Sequence, residues 1–250
     1  MRIVRADLHI HSCLSPCAEL EMSPKSIMER AISEGLDLIA ICDHNSAENV
    51  TAVIEAASQT SLEVLPGMEI TSKEEVHVVG LFDRPMDALQ VQTLVYEHIE
   101  GENDESVFGQ QVVVDADGNV TGYNNRLLIG ATDLSLEEIV QAVHDQNGLA
   151  VAAHIDREGF GIIGQLGFIP ENLNLDALEI SSRMSLKEAP STFEAYNNYP
   201  FITSSDAHVL SDIGTGRTSA TMKSASFQEL KMALRGEQGR GVCDNEETEE

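Results

Sequence analysis

The chain has 250 residues, 42% hydrophobic and 23% charged, and its 42 acidic against 15 basic side chains give a formal net charge of -27. That length suits one large domain or two small ones, and α/β barrels of this size commonly fold as one. The acidity repels a phosphate backbone and the absence of Trp removes stacking platforms, so long nucleic acid is not expected as a partner.

The opening "MRIVRADLHIHS" lacks the apolar core of a signal peptide, and no apolar stretch approaches membrane-spanning length. The four cysteines, Cys13, Cys17, Cys42 and Cys243, form no framework of the secreted type. A cytoplasmic protein with no membrane partner is the expectation; nothing in the sequence sets its oligomeric state. Short apolar runs at 2–11, 36–44, 62–70, 75–82, 148–154, 175–181 and 200–208 read as strands. Helical patterns at 24–34, 47–57, 87–98, 136–146, 186–197 and 226–234 alternate with them, which predicts an α/β fold with a mainly parallel sheet. Ser23 and Pro24 supply an N-cap and a first helical residue for the first of these helices. One segment breaks the rhythm: 101–125 is polar and acidic, then reads "QQVVVDADGNVTGYN", a β-hairpin turning at Asp117-Gly118. "DADGN" has a passing likeness to a calcium loop, but its Gly comes too early and no terminal Glu follows in register. The reading is therefore one domain over 1–240 with an insertion at 101–125, followed by a disordered acidic tail at 241–250.

The strand ends carry the chemistry. The first ends in His9 and His11, which alternation places on one face with Leu8 and Ile10 on the other. The second ends in Asp43-His44, the third in Glu69, and the fourth carries His77. The fifth ends in His154, the sixth carries Glu179, and the last ends in Asp206 and His208. In a parallel barrel the C-terminal strand ends are where active sites are built. A packed core would place Val, Ile and Leu there; imidazoles with a few carboxylates are what a multinuclear site of Zn²⁺, Mn²⁺ or Fe²⁺ requires. His98 and His144 instead fall near helix C-termini, where a cation suits the dipole, and read as structural or solvated.

"DLHIHS", "DHN", "GMEI", "EVHVVG", "AAHIDR" and "SSDAH", in this order, resemble the PHP (polymerase and histidinol phosphatase) family over nearly the whole chain apart from the insertion and tail. The resemblance implies a distorted seven-stranded (βα) barrel of TIM-like type, two or three divalent metal ions, and hydrolysis of phosphoesters. By position, it implies that His9, His11, Glu69 and Asp206 hold one ion. Glu69 would bridge to a second ion completed by His77 and His154, and His44 and His208 would bind a third. The family usually has a His or Asp where this chain has Cys17, which leaves the third site in question. Asp43, one residue out of phase with His44, is expected to face away and support the ligands.

Metal ions make hydroxide available at neutral pH and clamp the attacking and leaving oxygens of an in-line displacement at phosphorus. Glu69 and Asp206 then serve catalysis as ligands, while charge on the transferring phosphoryl group needs donors such as Arg. Arg157 follows His154 and Arg183 follows the Glu179 strand; Arg217, in "IGTGR", is a third candidate. For each, the alternative is a surface ion pair in a very acidic protein. The expected partner is a small phosphorylated molecule, a phosphomonoester or phosphodiester. The competing readings are a metal-dependent amidohydrolase, whose bridging lysine this sequence lacks at a strand end, and a metal-holding accessory domain without turnover.

Overall fold

The computed structural model describes residues 1–243. The chain opens with β1 (Arg2–Ile10), α1 (Pro24–Ser33), β2 (Leu38–Ile41), α2 (Val50–Ala57), β3 (Glu63–Thr71), β4 (His77–Leu81) and α3 (Pro85–His98). It continues with α4 (Glu105–Phe108), β5 (Val112–Val114), β6 (Val120–Tyr123), α5 (Leu136–Asp145), β7 (Leu149–Ala152) and α6 (Ile162–Leu166). β8 (Ala177–Ile180), α7 (Ala189–Thr192), β9 (Phe201–Thr203), β10 (Thr218–Met222), α8 (Phe227–Leu234) and β11 (Gly241–Cys243) complete it. The helices start where their sequence directs. At α1, Ser23 accepts from the Ser26 N–H and Pro24 fills the first turn, with Pro24, Ile27 and Ala31 buried along one face. At α5, Ser135 and Glu138 form a capping box, and Leu136, Ile139, Val140 and Val143 face inward.

The main sheet has nine strands in the order β11-β10-β1-β2-β3-β4-β7-β8-β9, not the seven expected. β1 meets the segment after β9 through a bridge between Ile10 and Ala207, where the His11 N–H donates to the Ala207 carbonyl at 3.0 Å, so the sheet curls into a nearly closed barrel. The extra strands are β10, antiparallel to β1 from Arg2↔Met222 to Ala6↔Thr218, and β11 beyond it. They cover an edge of β1 that would otherwise leave backbone groups unpaired. Residues 241–243 of the expected tail form a strand, and 244–250 lie outside the described residues. The sheet is also mixed: β4 runs antiparallel to both β3 and β7. The helix expected at 186–197 is broken into α7 and a 3-10 turn at Glu194–Tyr196.

Alternation sorts the strands into two faces. Leu38, Ala40, Leu65, Val79, Val151, Ala177 and Ile202 share an apolar cluster with Phe227, Leu230 and Ala233 of α8. Ile39, Ile41, Met68, Val78 and Leu178 share the other cluster, which includes residues of α1, α2, α3 and α5. One step further along the first face, Val79 gives way to His77 and Ala177 to Glu179; two steps beyond Leu65 stands Glu69. In β1 strict alternation fails, because Leu8 belongs to the first cluster and Ile10 to the second. The register of β1 on β2 shifts between Asp7 and Ile10, and such a bulge switches faces, bringing His9 and His11 in line after Leu8. The antiparallel β4 has the complementary effect: its first residue, His77, lies at the same rim as the last residues of the parallel strands.

The insertion is a hairpin, β5 against β6, with Gly118 at φ +84° in the turn, where glycine pays no steric cost. It packs on the loop after β1: the Val112 N–H donates to the Cys13 carbonyl at 3.1 Å, and Asn49 holds Val112 O and Val114 N at 3.0 Å each. No helix among the described residues is long and apolar enough to cross a membrane.

Candidate metal centre

Glu69, only 1% exposed, is the hub of the rim. Its Oε1 lies 2.6 Å from His77 Nδ1, 3.2 Å from His154 Nε2 and 3.4 Å from His9 Nε2. Its Oε2 lies 3.0 Å from His44 Nδ1 and 3.4 Å from His11 Nε2. Asp206 closes the ring, with Oδ1 3.0 Å from His11 Nε2 and 3.5 Å from His9 Nε2. Donor atoms within 4.8 Å of one another form three overlapping groups: His9, His11, Glu69 and Asp206; His44, Glu69 and His77; His11, His44 and His208. His154 and Asp206 have positive φ, 29° and 52°, a conformation uncommon for these side chains and concentrated at functional sites. Although burial alone would raise it, the imidazoles of His77, His9 and His44 hold the Glu69 carboxyl well below the usual range.

A cation fits this donor set. His9 Nε2, His44 Nδ1, His77 Nδ1 and Glu69 Oε2 are buried and crowd together without the alignment of a hydrogen bond. Buried polar atoms left in that state are costly, and ligation by a shared ion would satisfy them. Imidazole nitrogens with carboxylate oxygens suit Zn²⁺, Mn²⁺ or Fe²⁺.

A second layer fixes which nitrogen of each histidine points inward. His9 Nδ1 donates to Glu179 Oε1 at 3.1 Å, which leaves Nε2 a lone pair facing Glu69 and Asp206. The same Glu179 oxygen accepts the His154 N–H at 3.2 Å. Around His11, Asp43 accepts from Ser12 N, Ser12 Oγ and Ser15 Oγ at 2.7, 2.6 and 2.7 Å. With its proton given to Asp43, Ser15 Oγ can only accept from His11 Nδ1, 2.9 Å away, and from the His44 N–H at 3.1 Å. His11 Nε2 is thereby turned to the cluster.

The remaining candidates divide. The Cys17 residue is exposed; although desolvation opposes it, hydrogen bonds to His208 and His44 bring its thiol down to about 7. Arg157 joins the rim by pairing Nη1 with Asp206 Oδ2 at 2.5 Å. Arg183 is exposed on the loop after β8, and Arg217 lines a separate cavity. His98 and His144 pair with Asp133 and Asp176 at 2.6 and 2.8 Å and belong to none of the three donor groups. Lys73 is exposed. Phe160, also at φ +60°, stacks on His77 with centroids 4.5 Å apart. The sequence reading missed Ser12, Ser15 and Phe160. A serine or phenylalanine in a loop has no period to expose it, although Ser15 lies four residues after His11.

A barrel-shaped α/β sheet with a buried histidine–carboxylate cluster at one rim defines a class of metal-centre proteins. Within it, the chain belongs to the PHP domain family: the PHP domain model matches residues 7–160 and the PHP-associated model residues 192–238. It is similar to the uncharacterized protein YqxK of Bacillus subtilis, 26% identical over 262 residues, which cover 98% of this chain and 65% of YqxK. A 5'-3' exoribonuclease of Haemophilus influenzae is 34% identical over 82 residues, 31% of this chain and 29% of that enzyme. Among solved structures, the lesion-specific endonuclease PfuEndoQ of Pyrococcus furiosus superimposes with a TM-score of 0.73 at 18% identity, covering 96% of this chain and 58% of that one. The chain thus spans less than two thirds of each of these proteins.

Endonuclease Q has also been solved with a 27-mer duplex substrate carrying an abasic lesion at the active site (TM-score 0.72, 19% identity, 96% of this chain and 58% of that one). That complex overturns the expectation that long nucleic acid is excluded. Net charge is a sum over the whole surface, whereas a phosphate at the rim meets the local field, which bound cations and a few arginines can reverse.

Proposed function

We propose that this protein is a metal-dependent phosphoester hydrolase acting at the rim cluster. His9, His11, Glu69 and Asp206 would hold one divalent ion, and Glu69, His77 and His154 a second. His44 and His208, with Cys17 at the open side, would hold a third. Bound ions would supply Lewis acidity that activates water and offsets phosphoryl charge. The chain's own residues do the rest. Glu69 keeps two sets of imidazoles together through its two oxygens. Glu179 and Ser15 hold His9 and His11 in the tautomers that present Nε2. Arg157, fixed by Asp206 and 35% exposed at its side chain, keeps guanidinium donors at the mouth for phosphoryl oxygens.

The observation that carries this reading is the convergence of five imidazoles on one buried carboxylate whose Oε2 has no hydrogen-bond partner. The test is hydrolysis of a phosphoester panel, from nucleotides to oligonucleotides, by metal-reconstituted protein and by Glu69→Gln, which keeps the shape and removes the charge. The expected outcome is metal-dependent turnover that falls at least a hundredfold in the variant. Wild-type rate and metal content in Glu69→Gln, or no turnover across the panel, would overturn the reading.

A further inference from the structure

The loop between β7 and α6 places Phe160 at the edge of the cluster, 44% exposed. One face of its ring is taken: it stacks on His77 with centroids 4.5 Å apart and planes 20° from parallel. His77 lies 2.6 Å from Glu69 Oε1, so a single imidazole separates the phenyl ring from the hub of the rim. His77 itself is 7% exposed, which leaves the open surface of Phe160 on the side turned away from it.

Phe160 is held there at a cost. Its φ of +60° is a left-handed conformation, an outlier for a bulky side chain. The next residue, Gly161, could adopt that conformation freely but stands at φ -76°. Contacts on both sides fix the turn. The Phe160 carbonyl accepts the His77 N–H at 2.9 Å. Gly161 lets the chain fold back on itself, since a Cβ there would lie 2.5 Å from the Arg157 carbonyl oxygen and 2.9 Å from that of His154. Strain of this kind persists where the surroundings over-determine it, and it clusters at ligand clamps. Burial of the ring does not account for it, because much of the ring stays in water.

The same loop presents Arg157, paired with Asp206 and 35% exposed at its side chain. Arg157 precedes Phe160 by three residues, and an extended chain spans at most about 3.3–3.6 Å per residue, so the two lie within roughly 10 Å along the backbone. A nucleotide carries its base one sugar away from its phosphate. We propose that Phe160 is a stacking platform for a nucleobase whose phosphate lies at Arg157 and the rim. The proposal rests on the hydrolase reading for its phosphoester and adds which esters are preferred. Every base has a π face, so the platform selects for a base over none and not for one base over another. The lack of Trp therefore does not deprive the site of an aromatic surface.

That lack also supplies the test, because Phe160→Trp installs a single indole whose fluorescence a stacked base quenches. Metal-reconstituted Phe160→Trp is titrated with the phosphonate analogues of adenosine monophosphate (AMP) and of ribose 5-phosphate, whose C–P bonds ester hydrolysis does not break. Saturable quenching by the first and not by the second is expected. No quenching by the AMP analogue, or equal quenching by both, would overturn the platform. In wild type, Phe160→Leu and Phe160→Tyr, kcat/KM is then compared within two pairs: AMP against ribose 5-phosphate, and an oligonucleotide against the same strand with an abasic terminal nucleotide. Stacking on one aromatic side chain corresponds to about fivefold to a hundredfold per base. A preference of fivefold or more in one pair, carried by KM, lost in Phe160→Leu and kept in Phe160→Tyr, supports the proposal and tells free nucleotides from strand ends as the source. A ring that merely covers His77 would instead lower kcat or metal content alike for both members of each pair, and that result would sink the platform. Quenching by the AMP analogue with no hydrolysis of any ester keeps the platform and removes the hydrolase reading.

Discussion

Glu179→Gln tests whether the second layer matters to the cluster. Glu179 is 1% exposed, and its Oε1 serves both His9 Nδ1 at 3.1 Å and the His154 N–H at 3.2 Å. Its Oε2 is buried with no hydrogen-bond partner. Gln can still offer one oxygen, so the His9 tautomer survives, but the charge that raises the basicity of Nε2 is gone. The amide nitrogen then stands where Oε2 stood, an unsatisfied donor costing about 1–3 kcal/mol. Loss of such an outer partner typically lowers metal affinity about 10–100-fold, or about 1.4–2.7 kcal/mol. Competition between the protein and a chromophoric chelator for Zn²⁺ reads the affinity directly, with thermal melting of the metal-free proteins as the control on folding. The expected result is a tenfold or greater loss of affinity for the tightest ion with a folded variant. Affinity within twofold of the wild type would refute the role assigned to Glu179.

Three further outcomes follow from particular contacts. Asn49→Ala removes the amide that holds Ser12 Oγ, Val112 O and Val114 N, and should cost about 2–4 kcal/mol, read as a lower denaturation midpoint; a change under 0.5 kcal/mol would show the hairpin is not anchored there. Cys17→Ala should lower metal stoichiometry by up to one ion and Cys17→Asp should shift preference toward Mn²⁺, since a carboxylate is harder than a thiolate; unchanged metal content and preference in both would remove Cys17 from the site. Arg240 pairs in bidentate fashion with Glu229, whose carboxyl it holds down to about 2 against an ordinary 4.5. Because the folded-state value is depressed, that stabilisation is present above pH 4.5 and is lost as pH falls toward 2; Arg240→Met should flatten this acid loss in melting curves, and an identical pH profile would contradict it.

Much of the rim was legible because period-two alternation and strand ends are local signals. His9 and His11, Glu69, and Asp206 with His208 announce themselves by spacing alone. The role of His77 was harder to place, since alternation encodes a strand's faces and not its direction. Only the pairing of β4 between β3 and β7 shows that its start lies at the rim. The bulge at Asp7 to Ile10 was equally hidden, so Leu8 was put on the face of Ile10 when it lines the other one. β10 and β11 escaped notice because Thr218–Met222 is short and hydroxyl-rich and Gly241–Cys243 has three residues, too few to show a period. Asp43 was placed by phase as a supporting residue, and its three donors from Ser12 and Ser15 give that support a form no spacing could. The nucleic-acid exclusion went wrong for a different reason. A chain-wide charge of -27 carries no information about where the 15 basic residues gather.

The central claim is that the rim is a metal cluster, and counting ions tests it most directly. After removal of bound metal and reconstitution in turn with Zn²⁺, Mn²⁺ and Fe²⁺, elemental analysis should find two to three ions per chain with at least one of them. The count should fall in His11→Ala, whose Nε2 faces Glu69 and Asp206, and in Asp206→Ala, whose Oδ1 faces His9 and His11. Metal at trace level with all three, in a protein that melts as a folded domain, would contradict the account.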